Sequence, residues 1–141
     1  MILQIDRRCI PEIQEYGCYY MSLLFHANRL LNIPLGFPFI NDFYERCQEK
    51  GFIKDNIIQL PEEILRILGL RVLYLGHVEP ERVCRRDEFE ILHFVRETKD
   101  KEVHHFVCGD GANNVTYDPY GVSRTVAQGY LKNKRVFKRI G

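Results

Sequence analysis

The sequence has no excess of charge of either sign, and it has no long apolar run. Its 20 lysines and arginines are balanced by 19 aspartates and glutamates, which gives a net charge of +1. Proteins that bind nucleic acid through its phosphates usually carry a basic surface, so we expect no nucleic-acid partner. No apolar run is long enough to cross a bilayer, and residues 1–8 lack the apolar core of a signal peptide. We therefore expect no membrane association.

Cysteine is also sparse. The five cysteines stand at positions 9, 18, 47, 84 and 108, an odd number without regular spacing. Disulfide frameworks usually use an even number of closely spaced cysteines, so we expect a reduced, cytoplasmic protein. With 45% hydrophobic and 28% charged residues, 141 residues are enough for a packed core. The expectation is a single domain over residues 1–141 that acts as a monomer.

The first half of the chain has helical periodicity. Residues 17–32 are apolar around most of a helical circumference, which is typical of a buried helix. Two further helices are predicted over 39–50 and from Pro61 to 68, while residues 1–11 indicate a short strand or an extended arm. The polar residues Ser22, His26 and Arg29 continue a stripe from Cys18. We expect this stripe to be the polar edge of the central helix.

After residue 70 the pattern becomes alternating, as in strands. Two stretches, 79–87 and 122–130, stay unassigned. A basic cluster near the C-terminus alternates with apolar residues and indicates a solvated strand face; it comprises Lys132, Lys134, Arg135, Lys138 and Arg139. Helices followed by an antiparallel sheet predict an α+β fold. The predicted strands are Arg71–Gly76, Glu88–Arg96, Val103–Gly109, Asn114–Asp118 and Arg135–Ile140.

Cys18 stands where a polar segment with a glycine meets the central helix. A thiol on the first turn of a helix faces unpaired backbone N–H groups and the positive end of the helix dipole. This setting favours the thiolate, which is the nucleophilic form of cysteine. Cys18 is therefore a candidate nucleophile, whereas the other four cysteines are expected to be small buried hydrophobic residues.

A hairpin later in the chain offers a base for this thiol. Two strands flank the Gly/Asp/Asn turn at 109–114, and a two-residue loop at Gly111-Ala112 would place His105 directly opposite Asp118. Slipping of the register would pair His105 with Tyr120 and leave Asp118 diagonal to it. An aspartate there would orient the imidazole toward a thiol. His104 must point to the opposite face.

Two structural alternatives accompany this hypothesis. Asp118 is also suited to capping the turn that Pro119 begins. A zinc site built from His104, His105 and Cys108, with His93 or Cys84, is a further alternative, although adjacent histidines on a strand point apart.

These motifs carry a resemblance to a known family. Gly17-Cys18-Tyr19 at the start of a buried helix is similar to the nucleophile region of papain-like cysteine peptidases. His105-Phe106-Val107 followed by Asp118-Pro119 resembles the bacterial, bacteriocin-processing branch of that superfamily. The resemblance covers residues 12–32 and 88–121. It implies a papain-like fold, with Cys18 as nucleophile, His105 as base and then acid, and Asp118 as the residue that orients the histidine.

The resemblance also implies an oxyanion donor upstream of the cysteine, for which Gln14 is the candidate. Gln14 stands only four residues before Cys18, closer than the corresponding glutamine of the family. We therefore predict a cysteine peptidase, or a related amide or thioester hydrolase, that acts on a peptide or protein without a cofactor. The alternative is a catalytically incomplete papain-like fold that serves as a protein-binding or regulatory module.

Overall fold

A computed structural model describes all 141 residues and confirms the α+β class. The helices are α1 (Pro11–Tyr16), α2 (Cys18–Leu31), α3 (Phe37–Glu49), α4 (Pro61–Ile67) and α5 (Arg124–Gln128). The strands are β1 (Ile53–Lys54), β2 (Ile57–Ile58), β3 (Val72–Val78), β4 (Glu88–Glu97), β5 (Glu102–Gly109), β6 (Val115–Tyr117) and β7 (Tyr130–Arg139).

One antiparallel sheet of five strands forms the second half of the chain. Its strand order is β3-β7-β4-β5-β6, so the last strand returns to lie between the first two of the sheet. The strands β4 and β5 form a hairpin in which Phe94 pairs with His105. The separate pair β1-β2 is a small hairpin between α3 and α4.

The central helix packs on this sheet and begins at the residue expected from the sequence. Tyr20, Leu23, Leu24 and Ala27 are all at most 1% exposed, as the apolar periodicity of the helix predicts. The helix ends at Asn32, which adopts a left-handed conformation with φ 53°, a common stop signal. The core of the protein is thus a layer between the helices and one face of the sheet.

The polar stripe of α2 is buried, which corrects the expectation that it is a polar edge. Ser22 and His26 are 0% exposed. The Ser22 hydroxyl donates to Cys18 O at 2.8 Å and to Phe106 O at 3.3 Å, and His26 Nε2 lies 2.7 Å from Glu90 O. These side chains satisfy backbone carbonyls of the helix and the sheet, because buried polar groups need partners. Arg29 is exposed.

The basic C-terminal cluster is not a uniformly solvated face. Lys134 is 0% exposed and its Nζ lies 2.7 Å from Oε1 of Glu90, which is also 0% exposed. Lys134 Nζ also donates to Asn113 Oδ1 at 3.0 Å, and the N–H groups of Gly111 and Asn113 donate to Glu90 Oε2 at 2.9 Å. The alternating pattern does not predict the buried Lys134–Glu90 pair. Lys134 can be buried only because Glu90, on another strand, neutralises its charge.

The structure contains elements that the sequence patterns did not predict. Helix α1 follows the N-terminal arm, the β1-β2 hairpin follows α3, and the short helix α5 occupies part of the unassigned segment 122–130. Strand β7 begins at Tyr130, five residues before the predicted start. None of the helices combines the length and the apolar character that a membrane span requires.

Candidate active site

Cys18 is the first residue of α2 and is partly exposed. Helices α1 and α2 follow each other almost end to end, since the N–H of Gly17 donates to Ile13 O and the N–H of Met21 donates to Gly17 O, both at 2.8 Å. A Cβ on Gly17 would lie 2.5 Å from Ile13 O and 2.9 Å from Ile13 Cα. Only glycine fits this close approach, and the chain turns at Gly17 to place the thiol at the helix start.

As the first residue of α2, Cys18 has a backbone N–H that no carbonyl of this helix accepts. In an uninterrupted helix it would donate to the carbonyl of Gln14. That carbonyl instead accepts from Nε2 of Gln4 at 3.1 Å, and the same nitrogen also lies 3.1 Å from Ile13 O. Gln4 is 0% exposed, so a buried side chain takes the place of the helical donor at this carbonyl.

His105 and Asp118 lie in direct contact. Nε2 of His105 lies 2.7 Å from Oδ1 of Asp118, and the two residues are 1% and 8% exposed. This nitrogen is held by the carboxylate, which leaves Nδ1 for another partner. The ring also stacks on Tyr120, with centroids 4.4 Å apart. The imidazole of His105 is thus held by Asp118 at one edge of the ring and by Tyr120 on one of its faces.

The contact arises from the slipped register, not from direct pairing of the two residues. In the structure Cys108 pairs with Tyr117, and β6 ends there. The Gly111-Ala112 loop and the His105–Asp118 cross-strand pair predicted from it are therefore wrong. Strand β5 has no neighbouring strand beside His105 on that side, and the turn that follows β6 brings Asp118 and Tyr120 to the ring.

Cys18 lies close enough to the imidazole to affect its pKa. Burial alone would lower the pKa of His105, but hydrogen bonds with Asp118 and Cys18, together with the charges of both groups, raise that pKa to about 9. The ring therefore holds its proton near neutral pH. The structure brings together Cys18, His105 and Asp118, the three residues predicted from the sequence.

Asp118 is held as a carboxylate by several donors. Burial would raise its pKa, but hydrogen bonds from His105, the Ser123 side chain and the N–H of Tyr120 lower it. The Tyr120 N–H lies 2.9 Å from Oδ1, and the Gly121 N–H donates to the Asp118 carbonyl at 2.7 Å. Asp118 therefore shapes the turn and contacts the histidine at once, so the two readings of this residue are compatible.

Gln14 is not turned toward Cys18. It lies on α1, and its Nε2 donates to Cys9 O at 2.7 Å. No hydrogen bond joins its amide to the thiol region, so its role as an oxyanion donor stays a prediction.

His104 lies in a separate cluster. Its Nδ1 is 2.8 Å from Nε2 of His93, and its Nε2 is 3.7 Å from Glu102. Burial, followed by the charge of Arg135, lowers the pKa of His93 to about 4. Nowhere in the chain do three or more histidine, cysteine, aspartate or glutamate side chains come together as metal ligands would.

Beside Cys18 lies a small depression of about 210 Å³. Its wall includes Tyr16, Phe106, Arg135 and the β1-β2 hairpin, which contributes Asn56, Ile57 and Ile58. The sequence patterns did not predict that these residues would border the thiol, because the hairpin and Arg135 reach it only through the tertiary fold. A larger cavity of about 480 Å³, lined by Arg29, Cys84 and Asp110 among others, does not include Cys18, His105 or Asp118.

Comparison with known proteins identifies the family of this chain. A family model described as a protein of unknown function, DUF261, matches residues 1–139. The chain belongs to the DUF261 family. No curated protein and no solved structure matches it. For this DUF261 chain, the chemistry of the site has to be inferred from its own residues.

Proposed function

We propose that this protein is a papain-like cysteine peptidase, or a related amide or thioester hydrolase, in which Cys18, His105 and Asp118 form the catalytic triad. The observation that carries the proposal is the buried His105–Asp118 pair with Cys18 close to the imidazole. The carboxylate holds Nε2 at 2.7 Å, and Cys18 lies near enough to raise the pKa of the ring. This is the arrangement that acyl transfer by a thiol requires.

The proposed reaction has two steps. The Cys18 thiolate attacks the carbonyl carbon of the substrate, and the His105 imidazolium gives its proton to the leaving amine or thiol, which departs and leaves a thioester on Cys18. Neutral His105 then takes a proton from water, and the resulting hydroxide attacks the thioester and releases the carboxylic acid, which restores the Cys18 thiolate beside the His105 imidazolium. The backbone N–H of Cys18 donates to the oxyanion in both steps, a contact that is typically worth about a hundredfold or more in rate.

The fold and the thiols support the same proposal. A buried helix begins at the cysteine and packs on an antiparallel sheet that carries the histidine, which is the arrangement expected of a papain-like domain. All five cysteines are free. Free thiols are usual in a reducing compartment, and we therefore place the enzyme in the cytoplasm.

Alkylation by iodoacetamide, followed by peptide mass mapping, tests the proposal within one molecule. A thiolate paired with an imidazolium reacts below the pH at which an isolated thiol ionises, about 8.5. Cys84 is an internal control: it is also partly exposed, but burial and Glu90 raise its pKa to about 12. We expect rapid labelling of Cys18 and not of Cys84 near pH 6.5, and loss of that labelling in Cys18→Ala.

Replacement of His105 by Gln should remove the low-pH reactivity of Cys18 while leaving its reactivity near pH 9. Equal labelling of Cys18 and Cys84 at pH 6.5, or a Cys18 profile that is unchanged in the His105 variant, contradicts the proposed triad.

A second candidate function is a papain-like binding module that is unable to turn over a substrate. The observation that favours it is the Gln14 amide, which donates to Cys9 O instead of lying beside the thiol. Incubation with an activated thioester separates the two functions. An enzyme forms an acyl adduct on Cys18 and then loses it with repeated release of product, whereas a binding module stops at the adduct or forms none.

A further inference from the structure

Arg135 is a cation in the depression beside Cys18 that no carboxylate neutralises. It takes part in none of the ion pairs of the chain. Its hydrogen bonds within the chain all come from Nη1, which lies 3.1 Å from His93 Nδ1 and also donates to Asn133 Oδ1. Nε is buried and has no partner. A guanidinium carries five N–H donors, and Nη2, which makes no hydrogen bond within the chain, is the donor left for a ligand.

The position of this guanidinium is fixed. Its central carbon lies 5.0 Å from the centroid of the Phe106 ring. Phe106 itself stacks on Tyr19, the residue that follows Cys18, with centroids 4.7 Å apart. The strand β7 places Arg135 inside the sheet, opposite Ile91 of β4 and His77 of β3. The cation is therefore held in place before any ligand arrives, which lowers the entropic cost of binding.

The same depression is lined by Cys18, Phe106, Arg135 and the β1-β2 hairpin. A ligand that fills it would contact the sulfur and the guanidinium together. A hydrogen bond from a guanidinium to a carboxylate is charge-assisted and stronger than a neutral one.

We propose that Arg135 is the specificity residue of the site and that it binds a carboxylate carried by the acyl substrate, close to the carbonyl that Cys18 attacks. This assignment rests on the proposed function of Cys18 as a nucleophile. It gives the substrate a chemical class: a peptide or amide with a negative charge beside the reacting bond.

Alkylation with two reagents of the same size tests this proposal. Iodoacetate carries a carboxylate and iodoacetamide carries a neutral amide, and both modify the same sulfur. The ratio of their rates at Cys18 measures the preference for an anion. In Arg135→Gln we expect this ratio to fall about tenfold because one nearby positive charge is lost. Because both reagents modify the same sulfur, any change in the reactivity of the thiol itself cancels from this ratio.

Arg139→Gln is the matched control, since it removes the same charge from the same strand at an exposed position outside this depression. Its rate ratio should equal that of the native protein. A ratio that is unchanged in Arg135→Gln, or that falls equally in Arg139→Gln, overturns the proposal. If Cys18 reacts slowly with both reagents at pH 6.5, the proposed nucleophile fails, which is a separate result.

A measurement on the native protein needs no variant and identifies the source of the carboxylate. N-acetylglutamate amide and N-acetylglycine present a side-chain and a C-terminal carboxylate, and each has a neutral counterpart, N-acetylglutamine amide and N-acetylglycinamide. We expect one of the two acids to protect Cys18 from iodoacetamide better than its neutral counterpart. Equal protection within both pairs, including none at all, contradicts a carboxylate site.

Discussion

The titration of His105 provides a direct measurement of the proposed triad. Its pKa of about 9 lies above the ordinary value of 6.5 for histidine, although burial acts in the opposite direction. Each pKa unit corresponds to about 1.36 kcal/mol, so Asp118 and Cys18 together favour the imidazolium by about 3 kcal/mol beyond the cost of burial. Replacement of Asp118 by Asn keeps the size of the side chain and removes its charge.

We expect the Asp118→Asn variant to titrate at or below the ordinary pH range of histidine. The hydrogen bond to Asp118 is the largest of the effects that raise the pKa of His105, and burial, which lowers it, remains in the variant. The raised pKa contributes stability that is present below pH 6.5 and is lost as the pH rises through about 9. The variant should therefore lose most stability, relative to the native protein, on the acidic side of neutrality.

Proton NMR of the histidine rings tests this expectation. Burial lowers the pKa of His26 to about 3 and that of His93 to about 4, and burial also lowers the pKa of His77. A ring signal that titrates near pH 9 is thus distinct from the signals of these three histidines. Loss of that signal in His105→Gln assigns it to His105. A His105 ring that still titrates near 9 in Asp118→Asn refutes the role given to the carboxylate.

Two further substitutions test the scaffold that holds the site. Lys134→Met leaves the Glu90 carboxylate buried without its cation and should lower the free energy of unfolding by about 3–5 kcal/mol, measured by urea titration. A double variant that also carries Glu90→Gln should recover part of that loss. If the double variant loses as much stability as the two single variants added together, the pairing is contradicted. Gly17→Ala forces a Cβ against Ile13 O and should cost about 1–3 kcal/mol. The iodoacetamide rate at Cys18 should fall with it near pH 6.5, whereas Gly36→Ala, whose added Cβ would meet no atom closer than 3.9 Å, should not alter that rate.

The sequence predicted those features of the site that depend on neighbouring residues along the chain. Cys18 was a candidate because helix periodicity begins at that residue. His105 and Asp118 were paired through a hairpin register that the structure does not have, and through the resemblance to papain-like peptidases. The register was not predictable, since the loop after Gly109 contains a glycine and two asparagines that allow more than one turn.

The parts that escaped prediction depend on distant partners. From the sequence alone, Lys134 and Arg135 are both predicted to be exposed. The burial of Lys134 depends on Glu90 of another strand, and the position of Arg135 depends on the assembled sheet. Gln4 lies in the segment for which the sequence indicates a short strand or an extended arm, and neither expectation predicts its contacts with Ile13 and Gln14. The single domain, the monomeric state and the cofactor-free reaction stay predictions.

The arm that contains Gln4 connects the segment before Cys18 to the rest of the fold. The backbone N–H of Gln4 donates to Pro119 O at 3.0 Å, and its side-chain Nε2 donates to the carbonyl of Gln14. One buried residue thus bridges, through its backbone N–H and its side-chain amide, the segment before the sulfur and the segment after Asp118. A substitution at Gln4 would therefore act on the nucleophile and on the carboxylate of the triad together.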